Sequence, residues 1–415
     1  MVEKQPPKLR ILCLSPIEPF PIRGGWQTVI YNDIKYLHRR GHEITALAVT
    51  YREDANPNDI SDICRAEYFY KRKLPKWRQV VANFRQPLPY TIVRHHDERL
   101  LARAIELIRD GAMDVMLIED VCMAHYPRLL EDAAPIPAFL RGHNVTTTLM
   151  QRYYESQRNP VLRYLGWRQY VKFARYDRAV LDTVDGVSQI SPTDAAEVDR
   201  MNSRLKNHVL YSGVDLDDFA FNPPQEREED LIVHVGSLDP ITKLPAMLWF
   251  YDNVLPKIRQ RRPRARLELA GRTPQCSLWH KDPMDVVVHG QVPDVGPFLA
   301  KGSVFIAPQF VGSGIRIKIL NAMATGNAVV CTRVACEGLP VTHGRNILIT
   351  DDEQRFADYV CDLLEDPERR AELGKCGRAM VEERFGWPII ATELESLLRS
   401  AMERHAERTG SHYAP

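Results

Sequence analysis

The sequence predicts an α/β protein made of two Rossmann-like, doubly wound parallel-sheet domains facing across a cleft. Three observations predict this class. The chain has 415 residues, too many for one ordinary core. Short apolar runs alternate with amphipathic helical stretches in both halves. A polar break, SGVDLDDFAFNPPQEREED at Ser212–Asp230, carries two prolines and ends in a charge run. On this reading residues 1–211 form the first domain, 212–230 the linker and 231–386 the second domain. Residues 387–415 form a C-terminal helix expected to pack back on the first domain.

The elements follow in order. Ile11–Leu14 reads as a buried strand running into a loop at Ser15–Pro16. The pair Gly24–Gly25 precedes a helical pattern from Thr28 to Arg39, which Gly41 stops, and HEITALAV is the next strand. Further strands are expected at Val115–Ile118, Ala138–Arg141 and Gly186–Ile190, with helices at Arg99–Arg109 and Asn159–Asp182. In the second half, strands are expected at Leu231–Gly236, Ala265–Gly271, Val286–Gly290, Ser303–Pro308 and Asn327–Thr332. Helices fall at Pro245–Arg259, Gly314–Thr325 and Gln354–Glu365, and Trp387–Arg408 is a last helical pattern. Ligands of such folds bind outside the C-terminal strand ends.

Composition narrows the class. With 44% hydrophobic and 26% charged residues the chain reads as soluble and globular, and a net charge of +1 gives no argument for nucleic acid. The eight cysteines are scattered without zinc-like spacing, which fits a reduced, cytoplasmic setting. MVEKQPPKLR leads straight into a strand, so no signal peptide is read, and no apolar run reaches the roughly 18 residues of a spanning helix.

The stretch VGSGIRIKILNAMATGNAVV, Val311 to Val330, carries the chemistry. Gly312, Ser313 and Gly314 stand between a strand and a helix, where backbone amides and the helix N-terminus favour an anion. Arg316 and Lys318 add mobile positive charge, and Lys243, in the loop after the domain's first strand, is placed to reach the same anion. The alternative is that Ser313 is an N-cap and the cations are solvated helix charges.

Several motifs in order resemble retaining GT-B glycosyltransferases of family four. SGVDLDDF resembles their N-G-V-D-x-x-x-F signature, and GGWQTVIYNDIKYLHRRGHEITALAV their glycine loop, helix and second strand. RGHNVTTT resembles the segment bearing the active-site histidine, VGSLDPITK the start of the nucleotide domain, and GSGIRIKILNAMATGNAVVCT the donor helix. GRNILITDD onward resembles the common C-terminal run to its F-x-W ending. The nearest branch is that of bacterial enzymes building surface or extracellular polysaccharide.

The resemblance implies roles. Gly24 and Gly25 would face the donor diphosphate, His143 would lie near the transferring sugar, and Lys243 would bind the diphosphate. Gly236, Gly312, Ser313, Gly314 and Lys318 would complete the donor site. The family's loop arginine corresponds to Ser237, so Arg316 is expected to replace its charge. The family's two donor-helix glutamates correspond to Ser313 and Asn321; Asn321 retains hydrogen bonds to a ribose but not a carboxylate's strength. Glu337, in CEGLP, is placed near the donor, with a solvated loop glutamate as the alternative. Lys243, Arg316, Lys318 and the helix N-terminus would stabilise the departing diphosphate without a metal. No D-x-D stands where a metal-bound diphosphate needs it, and no carboxylate pair marks a glycosidase. No cofactor is expected; the donor substrate is a nucleotide-diphosphate sugar and the acceptor a glycan or a polyprenyl-linked acceptor. Residues 68–90, with Lys71, Arg72, Lys73, Lys76, Arg78 and Arg85 among aromatics, suit peripheral contact at the inner face of the membrane; the alternative is a solvated face. Two other classes stay open: a non-catalytic relative that binds nucleotide sugar or a partner glycosyltransferase, and a nucleotide-sugar epimerase.

Overall fold

The computed structural model describes residues 7–73, 75, 83–84, 86–157, 159–238, 243–273, 278, 282, 284–311 and 315–410. They form two compact units, Met1–Tyr211 with Ile390–Pro415, and Ser212–Ile389.

In the first unit, apolar runs buried on both faces form a parallel sheet. Its strands are β1 (Arg10–Ser15), β2 (Glu43–Thr50), β3 (Arg65–Tyr70), β4 (Val115–Glu119), β5 (Ala138–Gly142), β6 (Gly186–Gln189) and β7 (Asn207–Val209), in the order β3-β2-β1-β4-β5-β6-β7. Leu12 is in register with Thr45 on one side and Met116 on the other. The helices that matter below are α1 (Gly25–Arg39), α2 (Glu98–Arg109), α3 (Thr146–Ser156) and α4 (Pro160–Leu181). Asn159 caps α4 by accepting from the Val161 and Leu162 amides, with Pro160 in the first turn. The second unit repeats the plan with β8 (Glu228–Val235), β9 (Arg266–Ala270), β10 (Val286–Gly290), β11 (Gly302–Ala307), β12 (Ala328–Cys331) and β13 (Leu348–Ile349), in the order β10-β9-β8-β11-β12-β13. Its helices include α5 (Lys243–Trp249), α6 (Ile317–Ala324), α7 (Glu353–Glu365) and α8 (Pro367–Arg384). In each sheet the strand order reverses beside the first strand, at β1/β4 and β8/β11.

The structure departs from the sequence reading at identifiable places. β8 starts at Glu228, inside the charge run read as linker, because its backbone pairs with Gly302 while Arg266 meets the Glu228 carboxylate. The helix read at Pro245–Arg259 is broken by a π segment at Phe250–Val254, since Pro256 has no N–H for the Asp252 carbonyl. The donor helix starts at Ile317 rather than Gly314, and Gly312, Ser313 and Gly314 lie outside the described residues. Within the 68–90 stretch, Tyr68–Tyr70 belong to edge strand β3, with Phe69 against the core and Lys71 Nζ donating to the His96 carbonyl. Lys76, Arg78 and Arg85 lie outside the described residues.

The last helix, α9 (Trp387–Thr409), is tied to the first unit through Asp185, just before β6. One Asp185 oxygen accepts from the Ala138 amide at 2.9 Å and from His405 Nδ1 at 3.0 Å; the other accepts from Arg408 Nη2 at 3.0 Å. Burial alone would raise this carboxyl, but hydrogen bonds from His405 and the Ala138 amide hold it below its usual value. Its contribution is therefore complete above the ordinary carboxylate range and is lost as pH falls through the depressed value. Asp185→Ala is expected to cost about 1–3 kcal/mol in urea unfolding at pH 7. The difference from wild type should shrink in acid.

Candidate active site

Each unit presents a cluster of ionisable side chains at its strand ends. In the first unit they come from β4, β5 and α1. Asp33, on the buried face of α1, forms an ion pair with Arg141 of β5, and both side chains are fully buried. Burial nevertheless pushes the Asp33 carboxyl up to about 7, against the lowering effect of Arg141. Arg141 Nη2 also donates to the Tyr211 carbonyl at 3.1 Å. Glu119, the last residue of β4, is raised to about 7 by burial and faces His143 Nε2 at 3.1 Å. Burial, reinforced by the Arg141 charge, lowers His143 to about 4. With the imidazole neutral at pH 7, this contact is a hydrogen bond rather than an ion pair. Asp120 follows at φ 88°, its side chain accepting from the Cys122 amide at 2.8 Å. A non-glycine residue in that region is strained, as active-site residues often are.

Trp26 joins the glycine loop to this cluster. Its ring stands edge-on to His143 with centroids 6.2 Å apart. Gly24 is extended and accepts from the Thr28 amide at 3.0 Å. A Cβ on Gly24 or Gly25 would meet nothing within 4 Å, so the loop around them is open.

In the second unit the cations converge on one another rather than standing in solvent. Lys243 is the first residue of α5, not a loop residue. Arg316 is the N-cap of α6 and only 7% exposed, and Lys318 lies in the first turn. Lys318 Nζ sits 3.4 Å from His234 Nε2. The other ring nitrogen of His234 lies 2.8 Å from the Ile306 carbonyl and must donate to it, which leaves Nε2 as the acceptor for the lysine. His234 is held well below its ordinary value by burial and by the Lys318 charge. Lys318 is pushed down to about 7 by burial, then by the charges of Lys243 and Arg316. Burial also lowers Arg316, while Glu337, exposed at the end of the Arg333–Cys336 turn, acts in the opposite direction. Asn321 lies half-buried three residues after Lys318, on the same helical face.

The backbone is shaped around this lysine. Gly236, just past β8, has φ +140°, and a Cβ there would lie 3.5 Å from Lys318 Cδ. Gly271 has φ +125°, and a Cβ there would overlap the Gly236 carbonyl oxygen at 2.3 Å. Both positions demand glycine. Cations gathered under a close backbone turn have the chemistry to meet a polyanion.

Residues 229–366, which hold the whole cationic cluster, match the family model described as "Glycosyl transferases group 1". The matched stretch lies within the second unit. Over most of their lengths two proteins are similar to the chain. An uncharacterized 44.6 kDa protein in the cps region of Klebsiella pneumoniae is 20% identical over 91% of this chain and 96% of its own. A phosphatidyl-myo-inositol mannosyltransferase of Mycolicibacterium smegmatis is 26% identical over 93% and 92%. Among solved structures, sucrose-phosphate synthase from Thermosynechococcus elongatus superposes with TM-score 0.69 at 16% identity, covering 95% of this chain and 99% of that one. HepE of Anabaena, in complex with UDP, gives 0.63 at 16% identity, covering 94% and 100%. The chain has the GT-B fold: two Rossmann-like units of seven and six parallel strands.

The sequence reading missed several residues around both clusters. In the second unit it missed His234, whose signal is a lone histidine in the apolar strand that ends at Val235. In the first unit it missed Asp33, Glu119, Asp120 and Arg141. For the last three the signal is charge inside or at the end of the runs VMLIED and AFLRGH, which a buried parallel strand does not tolerate without partners.

Proposed function

We propose that the protein is a retaining glycosyltransferase that moves a sugar from a nucleotide-diphosphate donor to a glycan or lipid-linked acceptor in surface polysaccharide synthesis. The observation that carries this is the depressed, part-buried Lys318 between Lys243, Arg316 and His234 at the switch point of the second unit's sheet. Such a site is preorganised for a charge that develops on a leaving diphosphate. Lys318, Lys243 and Arg316 stabilise that group. Gly236 lets the backbone approach it, and Asn321 and Glu337 serve the donor's hydroxyls. Gly312, Ser313 and Gly314 are assigned to the donor on the sequence motif alone. In the first unit, neutral His143 offers a polar contact to the sugar, aided by the open loop at Gly24–Gly25. Support for the donor class comes from the UDP complex of HepE, and for the pathway from the cps-region relative.

The test is a panel of UDP-, GDP- and ADP-sugars with lipid-extract acceptors, read by nucleotide release and by NMR of the product anomer. Release with retained configuration is the expected result. Saturable nucleotide binding without release under any acceptor would favour a non-catalytic binding protein.

Binding should also carry a proton signature. With Lys318 near 7 when free, a bound diphosphate raises it, so above pH 7 binding takes up a proton. Calorimetry of UDP or GDP in buffers of differing ionisation enthalpy at pH 8 is expected to show net uptake approaching one proton. Affinity is expected to fall as pH rises from 7. Equal heats in all buffers would refute this.

A further inference from the structure

We propose that Glu119 is a positioning residue for His143: by hydrogen-bonding one nitrogen of the ring, it sets whether the other nitrogen accepts or donates a hydrogen bond to the donor's sugar. The identity of that ligand rests on the transferase reading; the pair itself rests on the geometry of the first unit alone.

That geometry gives the two side chains one polar contact with each other and leaves one ring nitrogen over. Glu119 ends β4 and His143 follows β5, and both are buried, at 0% and 4% exposure. Glu119 Oε2 lies 3.1 Å from His143 Nε2. The other carboxyl oxygen, Oε1, is buried and has no hydrogen-bond partner among the described residues. Among those residues none forms a hydrogen bond with His143 Nδ1 either. Any proton the two groups share therefore sits at the Nε2 contact, and Nδ1 is the nitrogen left for a ligand. Trp26, whose ring stands edge-on to the imidazole, follows the open Gly24–Gly25 loop in the chain.

The surrounding charges decide what the contact does. Arg141 of β5, Asp33 of α1, Asp120 beside β4 and Cys13 of β1 all act on the pair. Asp177 of α4, held by the Thr147 hydroxyl of α3 at 2.6 Å, lies within reach of the Asp120 charge. Burial keeps the imidazole neutral, at about 4, and raises Glu119 to about 7 against the pull of Arg141. Near pH 7 the pair therefore loses one proton without forming an imidazolium. Below that point the Glu119 carboxyl O–H donates to Nε2, and the ring's own proton sits on Nδ1, which is a donor. Above it Glu119 is ionised, the ring proton lies on Nε2 and donates to the carboxylate, and Nδ1 carries a free lone pair. A sugar hydroxyl has the chemistry to meet either form. Only the ionised pair makes Nδ1 an acceptor reinforced, through the ring, by a carboxylate charge, so it is the tighter-binding form.

Long-range proton–nitrogen spectra of the full chain, labelled with nitrogen-15 histidine, test the pair directly; His143→Asn identifies the signals. In wild type His143 is expected to stay neutral from about pH 6 to about pH 8.5, while its protonated nitrogen changes from Nδ1 to Nε2 near pH 7. Glu119→Gln does not ionise and is expected to hold one tautomer throughout. An imidazolium in that range, a single tautomer throughout in wild type, or a switch retained by E119Q would each overturn the proposal. The wild-type titration decides even if E119Q does not fold. The ligand arm compares the affinities of UDP- and GDP-sugars with those of UDP and GDP, because the diphosphate at Lys318 is common to both. As pH rises over the same range, this ratio is expected to increase about 3–10-fold in wild type relative to E119Q, the range for one hydrogen bond. Equal ratios in the two proteins would overturn the positioning role. Failure of every nucleotide to bind would count against the transferase reading, since the spectra read the pair in the free chain.

Discussion

Lys318→Met is expected to lower nucleotide release about 10²–10³-fold, the range for removing one preorganised stabiliser of transition-state charge. The same substitution is expected to raise thermal stability at pH 7. Met keeps the apolar stem beside Gly236 but removes an ammonium that burial and the charges of Lys243 and Arg316 make costly. The sign follows from linkage. The folded-state value, about 7, lies below the ordinary lysine value, so the unfolded chain binds more protons between the two and stability of the wild type rises with pH there. K318M removes that slope. Lower activity with higher stability separates a functional lysine from a structural one. Release within threefold of wild type, or a fall in melting temperature, would contradict the assignment.

The largest stability effect is expected in the first unit. Arg141→Met removes the cation from a fully buried pair and leaves Asp33 without its partner; the cost is expected to be about 3–5 kcal/mol. Glu119 loses the same lowering influence and shifts further up. In the double variant Asp33→Leu/Arg141→Met both charges are gone, and part of the loss should return, as replacement of a whole buried pair usually permits. Urea unfolding of the two single variants and the double variant measures the coupling. A cost below about 1 kcal/mol for R141M, or strict additivity, would show that the pair is not holding the cluster together.

Much of the fold was legible because each central strand is a short apolar run between turn residues. The β1-α1-β2 opening and five of the second unit's strands were read within a few residues of their bounds. β3, β7 and β13 were not read. RAEYFY mixes charge with aromatics as an edge strand does, and the other two have three and two residues, too few for any periodicity to show. The cations of the second cluster were legible through spacing: Arg316 and Lys318 follow a glycine pair at a helix start. Their environment was not. Nothing in the spacing says that Lys318 is pressed against His234, since that contact joins residues 84 positions apart. The Asp33–Arg141 pair, 108 positions apart, is hidden for the same reason, as 141 − 33 shows. A charge in an apolar strand announces that a partner exists without naming it.

Gly271 backs directly onto the carbonyl of Gly236 and leaves no room for even a methyl group. A random-mutagenesis screen for loss of nucleotide release is therefore expected to return position 271 as well as position 318. Its defect would present differently, as misfolded protein rather than as a stable but silent one.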